Sequence, residues 1–472
     1  MAPPLGLARP KIAINGGFLR VLPRVVTYWR AIVVLLIFAL ASAIVLNNQF
    51  VSFELVGLAL LLIFIASQIF WIERVVDLGE WLLRGRVCRR RVAIGVVLAY
   101  LFVVAYSFPT TIAQGHTFRL GFYRLPIIVT EAVFWWWFVG SMLAFLLVMA
   151  FGLVDRLVGV AVWTYRKVRQ PVQHGVSGNS EAASSPSRRL FLQHTAVMVS
   201  ATPFVAAGYG LLYERQDVEV VRQRIRLARL PKFFDRFRIA QLSDIHMGPF
   251  TTAGYIRRCV GITNGLKANL IVLTGDYIAW DPSAAREVVR ELAGLRAAQG
   301  VFGCLGNHES ESNTEDYVAG LFAEQGIHIL RQQRAPIQLA SETVNLMGID
   351  DPRGETEAEW MRDIYRRLDK ALVMPGTINI LLAHEPSVTV LDRAAELGID
   401  LVLAGHTHGG QSALETVHRE FNLSRLIYRH TNGWYENRGA KLYVNRGIGT
   451  TGFPIRLGAR PEITVFELTP QD

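Results

Sequence analysis

Hydrophobic and polar positions divide the chain into two halves with different rhythms. Before residue 160 there are four long apolar runs, at roughly 31–46, 53–72, 92–108 and 127–154. They show no polar stripe, so each reads as a helix that is apolar all round, and each approaches the ~20 residues that cross a bilayer core. After residue 215 the rhythm changes to short apolar runs alternating with helical stretches. Strands are predicted over 237–242, 270–273, 301–305, 344–349, 378–383 and 401–404, with helices over 253–266, 283–298, 314–325, 357–372 and 387–397. Strands return at 442–444 and 462–468. This alternation predicts an α/β fold with largely buried strands.

Composition supports the division. Of 472 residues, 51% are hydrophobic and 19% charged, with a mean hydropathy of +0.28. Soluble domains carry about 25% charge, so a disordered or tail-like chain is excluded and membrane segments are expected. Three cysteines, Cys88, Cys259 and Cys304, exclude a disulfide scaffold or a Cys-rich zinc module. The net charge of +10 is unevenly placed. Residues 1–214 hold 19 Lys/Arg and 8 Asp/Glu, and residues 215–472 hold 30 and 31. The second half therefore lacks the basic excess that displaces counterions from a duplex, and no nucleic-acid partner is expected.

The basic excess instead reports orientation. The N-terminal tail, the connection between the second and third runs, and the stretch after the fourth together hold 17 Lys/Arg, while the remaining loops hold only Arg119 and Arg124. By the positive-inside rule the first three face the cytoplasm. Glu54 and Glu131 then fall near the outer ends of their helices, where a carboxylate is expected to be solvated. A polar linker at 170–187 leads into Ser187-Arg188-Arg189-Leu190-Phe191-Leu192 and a weakly apolar stretch, 195–213. This resembles a twin-arginine export signal inside the chain; the alternative is a fifth membrane helix with ordinary flanking arginines. Either way an odd number of crossings puts residues 215–472 outside the cytoplasm. The expected organisation is a transmembrane domain of four helices over 1–160, a linker, motif and fifth apolar segment over 161–214, and a catalytic domain over 215–472. The implied setting is a multi-pass inner-membrane protein, with the export machinery as a partner.

The chemistry-bearing residues cluster where the predicted strands end. The sequence places Ser243-Asp244-Ile245-His246, Thr274-Gly275-Asp276, Gly306-Asn307-His308-Glu309, His384-Glu385-Pro386 and Gly405-His406-Thr407-His408-Gly409-Gly410 after successive strands. Open α/β sheets bind ligands beyond the carboxyl ends of their strands. Oxygen and imidazole donors without thiolate suit Mn²⁺, with Fe or Zn²⁺ as alternatives. Each short motif alone occurs often by chance; five in order, each after an apolar strand, do not.

The ordered set resembles the calcineurin-like metallophosphoesterases, over roughly residues 235–468, and its last motif resembles their membrane-associated bacterial branch. The resemblance implies a four-layer α/β/β/α sandwich, preceded here by four or five transmembrane helices. It implies that Asp244, His246 and His408 hold one divalent metal ion, that Asn307, His384 and His406 hold a second, and that Asp276 bridges both. His308 would be the non-ligand histidine that meets the leaving group, and Glu309 would orient its imidazole. Two such ions clamp the attacking and departing oxygens of an in-line displacement at phosphorus, with a bridging hydroxide as nucleophile. The expected substrate is a phosphomonoester or phosphodiester, lipid-linked or part of the envelope. A nuclease, an acylated nucleotide-sugar pyrophosphohydrolase and a non-catalytic membrane-tethered metal-binding protein are the alternatives. Trp280, Asn432, Trp434 and Tyr435 are read either as lining a cleft or as loop and core residues.

Overall fold

The structure, a computed structural model, describes residues 53–82, 91–92, 94–99, 124–169, 186–279, 281–354, 356–411 and 422–471. The first predicted membrane run, most of the third, nearly all of the 170–187 linker and Trp280 lie outside these residues. Residues 1–69 form one unit and residues 70–472 another.

Twelve strands are present among the described residues. They are β1 (Glu219–Leu227), β2 (Arg238–Leu242), β3 (Leu270–Thr274), β4 (Val301–Cys304), β5 (His328–Ile329), β6 (Gln333–Leu339), β7 (Glu342–Gly348), β8 (Ile378–Leu382), β9 (Leu401–Ala404), β10 (Gly433–Asn437), β11 (Ala440–Val444) and β12 (Glu462–Pro470). They make two mixed six-stranded sheets, in the orders β1-β12-β2-β3-β4-β5 and β10-β11-β9-β8-β7-β6. Pairing is parallel except for β12 with β2, β6 with β7 and β10 with β11.

The period-2 alternation of strand side chains builds the layers. Leu270 and Val272 of β3 face an inner core with Ile380 and Leu382 of β8 and Leu401 and Leu403 of β9. Their neighbours Ile271 and Leu273 face outward onto Ile256, Val260, Val288 and Phe322, which come from helices. On the second sheet Leu381 and Val402 face Ile364, Leu391 and Ala394 of further helices. Strands that are apolar on both faces are therefore sandwiched between helices and one another, as their unbroken hydrophobic runs require. The predicted helices are present but shorter: 283–298 contracts to Ala285–Leu292 and 357–372 to Glu357–Arg367.

Three long helices precede the sheets: α1 (Phe53–Leu82), α2 (Arg124–Arg169) and α3 (Pro186–Leu212). Helix α2 continues well past the apolar run at 127–154, and its segment Glu131–Tyr165 is the one span among the described residues long and apolar enough to cross a membrane. The twin-arginine-like pair lies in the first turn of α3; its side chains fall outside the described set. Helices α2 and α3 pack as a pair, with the Trp136 indole donating to the Phe204 carbonyl at 2.8 Å. Val139 of α2 and Ala207 and Leu211 of α3 then close over Ile455 of the sheet domain. A Cβ at Gly210 would lie 2.4 Å from the Arg456 carbonyl oxygen, so glycine permits backbone-to-backbone approach there. The Glu214 carboxylate accepts from Gly458 N–H at 2.7 Å and completes the seam.

Candidate metal centre

Four strands deliver a donor at the same offset, and β4 delivers Asn307 one position later. β2, β3, β8 and β9 end at residues 242, 274, 382 and 404, and Asp244, Asp276, His384 and His406 follow two positions later. Turning a side chain inward so soon after an extended strand demands an unusual backbone. Asp244, His246, Asp276, His406 and His408 all adopt positive φ, between 45° and 71°. That region is unfavourable for residues with a Cβ, and such residues cluster where structure serves a site. The flanking glycines leave room: a Cβ on Gly405 would fall 2.2 Å from Asp244 Oδ2, and one on Gly306 would fall 2.1 Å from Asp276 Oδ1.

All seven residues expected to be ligands converge. In one group His408 Nε2 lies 3.0 Å from His246 Nε2 and 3.3 Å from Asp244 Oδ1. In the other Asn307 Oδ1 lies 3.1 Å from His384 Nε2 and 3.0 Å from His406 Nδ1. One oxygen faces both groups: Asp276 Oδ2 is 3.3 Å from His246 Nε2 and 3.1 Å from His384 Nε2. All but Asn307 and His406 are almost completely buried.

These spacings fit metal coordination. Ligands about 2.0–2.2 Å from one ion stand ~3.0–3.5 Å from one another around a tetrahedral or octahedral shell. Carboxylate oxygens, an amide oxygen and imidazole nitrogens are also the donor types that divalent ions take. Second partners orient the donors. His384 Nδ1–H donates to the Thr274 carbonyl at 2.7 Å, which turns Nε2 toward the centre. The Asn307 amide donates to Glu311 at 3.2 Å, which turns its oxygen inward.

The protein's own charges are strongly perturbed here. Burial pushes the Asp244 carboxyl up to about 6. Burial also opposes ionisation of Asp276, but the imidazoles of His384, His308 and His246 outweigh it and hold the carboxyl well below its usual range. His384 is held well above the usual imidazole range, the Asp276 carboxylate prevailing over burial. Burial lowers His406 to about 3, which keeps its ring neutral and free to coordinate.

His308 stands beside the two expected groups, and with His246 and Asp276 it forms a further set of donors lying within 4.8 Å of one another. Its Nδ1 bonds the Ala279 carbonyl, its Nε2 lies 3.9 Å from Asp276 Oδ2, and its ring packs at 4.5 Å on His246. Glu309 departs from expectation. Its carboxylate accepts the backbone N–H groups of Gly306, Asp276, Tyr277 and Ile278 at 2.8–3.2 Å. It holds two ligand-bearing turns together, and the Ala279 carbonyl, not Glu309, orients the His308 ring. The reason is local: Glu309 is the third residue of the short helix Asn307–Glu311, where a carboxylate reaches back to the cap and to neighbouring N–H groups.

Two further residues escaped sequence reasoning. Tyr428 places its hydroxyl 3.2 Å from His406 Nε2. Arg456 is fully buried, and its guanidinium meets the carbonyls of Arg446, Gly447, Gly449 and Ala459 and lies 3.1 Å from His408 Nδ1. Neither has a motif; only long-range packing identifies them. Trp434 turns elsewhere, donating to Gln223 at 3.0 Å and stacking on Tyr443 at 4.9 Å. Tyr435 packs on His430.

Of the seven expected ligands, His246 alone lines a cavity of about 210 Å³, whose other walls include Ala279, the loop carrying Thr450 to Pro454, and Glu131 and Trp135 of α2. Glu131 is 2% exposed, so the interfacial carboxylate expected to be solvated is instead enclosed.

A family model for the calcineurin-like phosphoesterases matches residues 237–410. The chain is 30% identical over 290 residues to the uncharacterized metallophosphoesterase YkuE of Bacillus subtilis, a match spanning 60% of this chain and 97% of that one. It is 29% identical over 294 residues to phosphodiesterase YaeI of Escherichia coli, spanning 60% of this chain and 99% of that one. It is also 29% identical over 296 residues to a transmembrane protein with metallophosphoesterase domain of Danio rerio, spanning 61% of this chain and 64% of that one.

Proposed function

The chain belongs to the calcineurin-like metallophosphoesterases and is a metal-dependent phosphoester hydrolase, and from that premise we propose that it is a membrane-anchored enzyme using two divalent ions on phosphomonoesters or phosphodiesters near the bilayer. The observation that carries the dinuclear reading is the single oxygen, Asp276 Oδ2, facing two donor groups at 3.1 and 3.3 Å. Asp244, His246 and His408 would hold the first ion, Asn307, His384 and His406 the second, and Asp276 would bridge them. Mn²⁺ suits these donors, with Fe or Zn²⁺ as alternatives. When bound, the ions supply Lewis acidity toward phosphoryl oxygens and lower the pKa of a coordinated water.

The protein's own residues do the rest. Asp276 and Asp244 balance the positive charge. With its Nδ1–H committed to Ala279, His308 can carry a second proton on Nε2 and donate it to a departing alkoxide. Glu309 fixes the turns that carry Asp276 and Asn307, and Arg456 fixes the loop behind His408.

Two observations support membrane association: the apolar span Glu131–Tyr165, and the name of the zebrafish relative. The sheet domain packs at the Glu131 and Val139 end of α2, whereas Arg166, Lys167 and Arg169 lie at the other end. The positive-inside rule then favours an extracytoplasmic catalytic domain on a multi-pass anchor, with the twin-arginine machinery as a candidate route for export. The cavity lining includes no Lys or Arg among the described residues, which weighs against a nuclease.

The test is metal-dependent release of p-nitrophenol from bis(p-nitrophenyl) phosphate by the full chain in detergent. Two bound metals per chain with no turnover would favour the non-catalytic alternative.

A further inference from the structure

One residue touches both the end of α3 and the metal centre. At its backbone, Arg456 donates its N–H to the Gly210 carbonyl in the last turn of α3 at 3.4 Å. The same loop is gripped two residues on, where Gly458 N–H donates to the Glu214 carboxylate at 2.7 Å. At the far end of the Arg456 side chain the guanidinium lies 3.1 Å from His408 Nδ1. It also donates to the carbonyls of Gly447 and Gly449, and the turn that bears them lies directly behind Asp244. Gly449 N–H donates to the Asp244 carbonyl at 2.7 Å, and a Cβ on Gly447 would fall 2.5 Å from the Asp244 Cβ. Two of the three residues expected to hold the first ion, Asp244 and His408, therefore rest on Arg456. The outer partners of the second group lie elsewhere: Glu311 for Asn307, the Thr274 carbonyl for His384 and the Tyr428 hydroxyl for His406.

Little slack exists along this path. Arg456 is fully buried, its guanidinium is a planar fork held by several acceptors at once, and close-packed interiors transmit small displacements. A shift of α3 against the 455–458 loop must therefore move the fork or break its bonds. We propose that the end of α3 is a positioning element of the first metal group, acting through Arg456. The helix must be seated on its loop for Asp244 and His408 to hold their ion, while the second group keeps its ion without it. This deepens the dinuclear reading, on which it rests, by making the apolar helix part of the metal centre's support and more than a tether.

The test titrates the full chain in detergent, stripped of metal by a chelator, with Mn²⁺ and follows the heat of binding. Two backgrounds separate the ions: Asn307→Ala leaves the first group, and His246→Ala leaves the second. Gly210→Ala disturbs the seat, because a Cβ there meets the Arg456 carbonyl oxygen and the Ile455 and Leu457 side chains. In the Asn307→Ala background it should weaken binding of the remaining ion by about 10-fold or more, as loss of a ligand's outer support does. In the His246→Ala background it should leave affinity unchanged. Gly208→Ala is the control, since a Cβ there only reaches ordinary contact with Trp136 at 3.5 Å, and it should alter neither. Equal weakening in both backgrounds marks general loosening of the fold, and no weakening in either marks a seam without reach. Each overturns the inference and leaves the dinuclear reading standing, provided the wild type binds two ions. A wild type that binds only one Mn²⁺ sinks both. Should Gly210→Ala fail to fold, Glu214→Ala removes the grip on Gly458 and carries the same expectations.

Discussion

The floor of the cleft and its membrane-facing wall are built on opposite principles. The floor is made by one domain: five strands end, and donors follow within a few residues in backbone conformations fixed by the chain itself. The wall is assembled from parts far apart in sequence, with Glu131 and Trp135 from a helix before the domain and Thr450–Pro454 from its last loop. The floor takes no donor from the membrane helices. The wall exists only while α2 and α3 stay seated on the loop that carries Arg456. The metal-centre residues therefore all come from one domain, while the junction with α2 supplies part of the neighbouring cavity's lining.

The largest effect expected from breaking the floor is at Asp276. Asp276→Asn should remove both metals and take turnover to background, and a variant retaining two metals per chain by elemental analysis would break the bridging assignment. His308→Ala should leave the floor intact, keeping both metals while slowing esters with poor leaving groups by about 10²–10⁴-fold. Equal losses on p-nitrophenyl and alkyl esters would remove its role as proton donor.

Arg456 lies where floor and wall meet, so its variant sharpens the distinction between them. Arg456→Lys cannot reproduce the guanidinium fork and leaves buried carbonyls without donors. We expect metal affinity to weaken about 10–100-fold, together with a lower Tm in the metal-loaded and metal-free forms alike. Unchanged metal affinity by titration would confine Arg456 to a packing role.

The smallest effect belongs to the floor alone. Burial raises the Glu309 carboxyl to about 8, well above the ordinary carboxylate range. A raised acid pKa means that the folded state holds a proton the unfolded chain has released, so its stabilising contribution is lost as pH rises through the folded value. His384, also raised, acts with the same sign. The metal-free protein should therefore lose stability from about pH 6.5, above which histidines of the unfolded chain are largely neutral, to about pH 8, and Glu309→Gln should flatten that slope. A metal-free Tm that rises over this window would contradict the assignment.

Legibility followed burial. Every strand with neighbours on both sides was readable in the sequence, because two covered faces demand mostly apolar residues even where a buried Gln241, Asn345 or Asn379 interrupts them. The four strands that escaped, β1, β5, β6 and β10, are the four sheet edges. β1 alternates exposed arginines with less exposed positions, β5 has two residues, β6 contains Pro336, and β10 turns Trp434 as well as Glu436 toward solvent. Edge strands satisfy fewer packing demands and so leave a fainter pattern. The ligand residues were legible because they follow buried strands at short offsets. Arg456, Tyr428 and the enclosure of Glu131 were not, since each depends on contacts between segments tens to hundreds of residues apart. The misreading of Glu309 has a different origin: its role was carried over with the family resemblance, whereas its place in the first turn of a short helix sends the carboxylate to backbone N–H groups.

The left-handed backbone at Asp244, His246, Asp276, His406 and His408 has an evolutionary corollary. Each of these positions would be more comfortable as glycine or asparagine if nothing needed coordinating. A descendant that abandoned ion chemistry should therefore drift toward those two residue types at these sites first, while its sheets stayed recognisable. Ancestry and lost activity would then be readable from the same handful of codons.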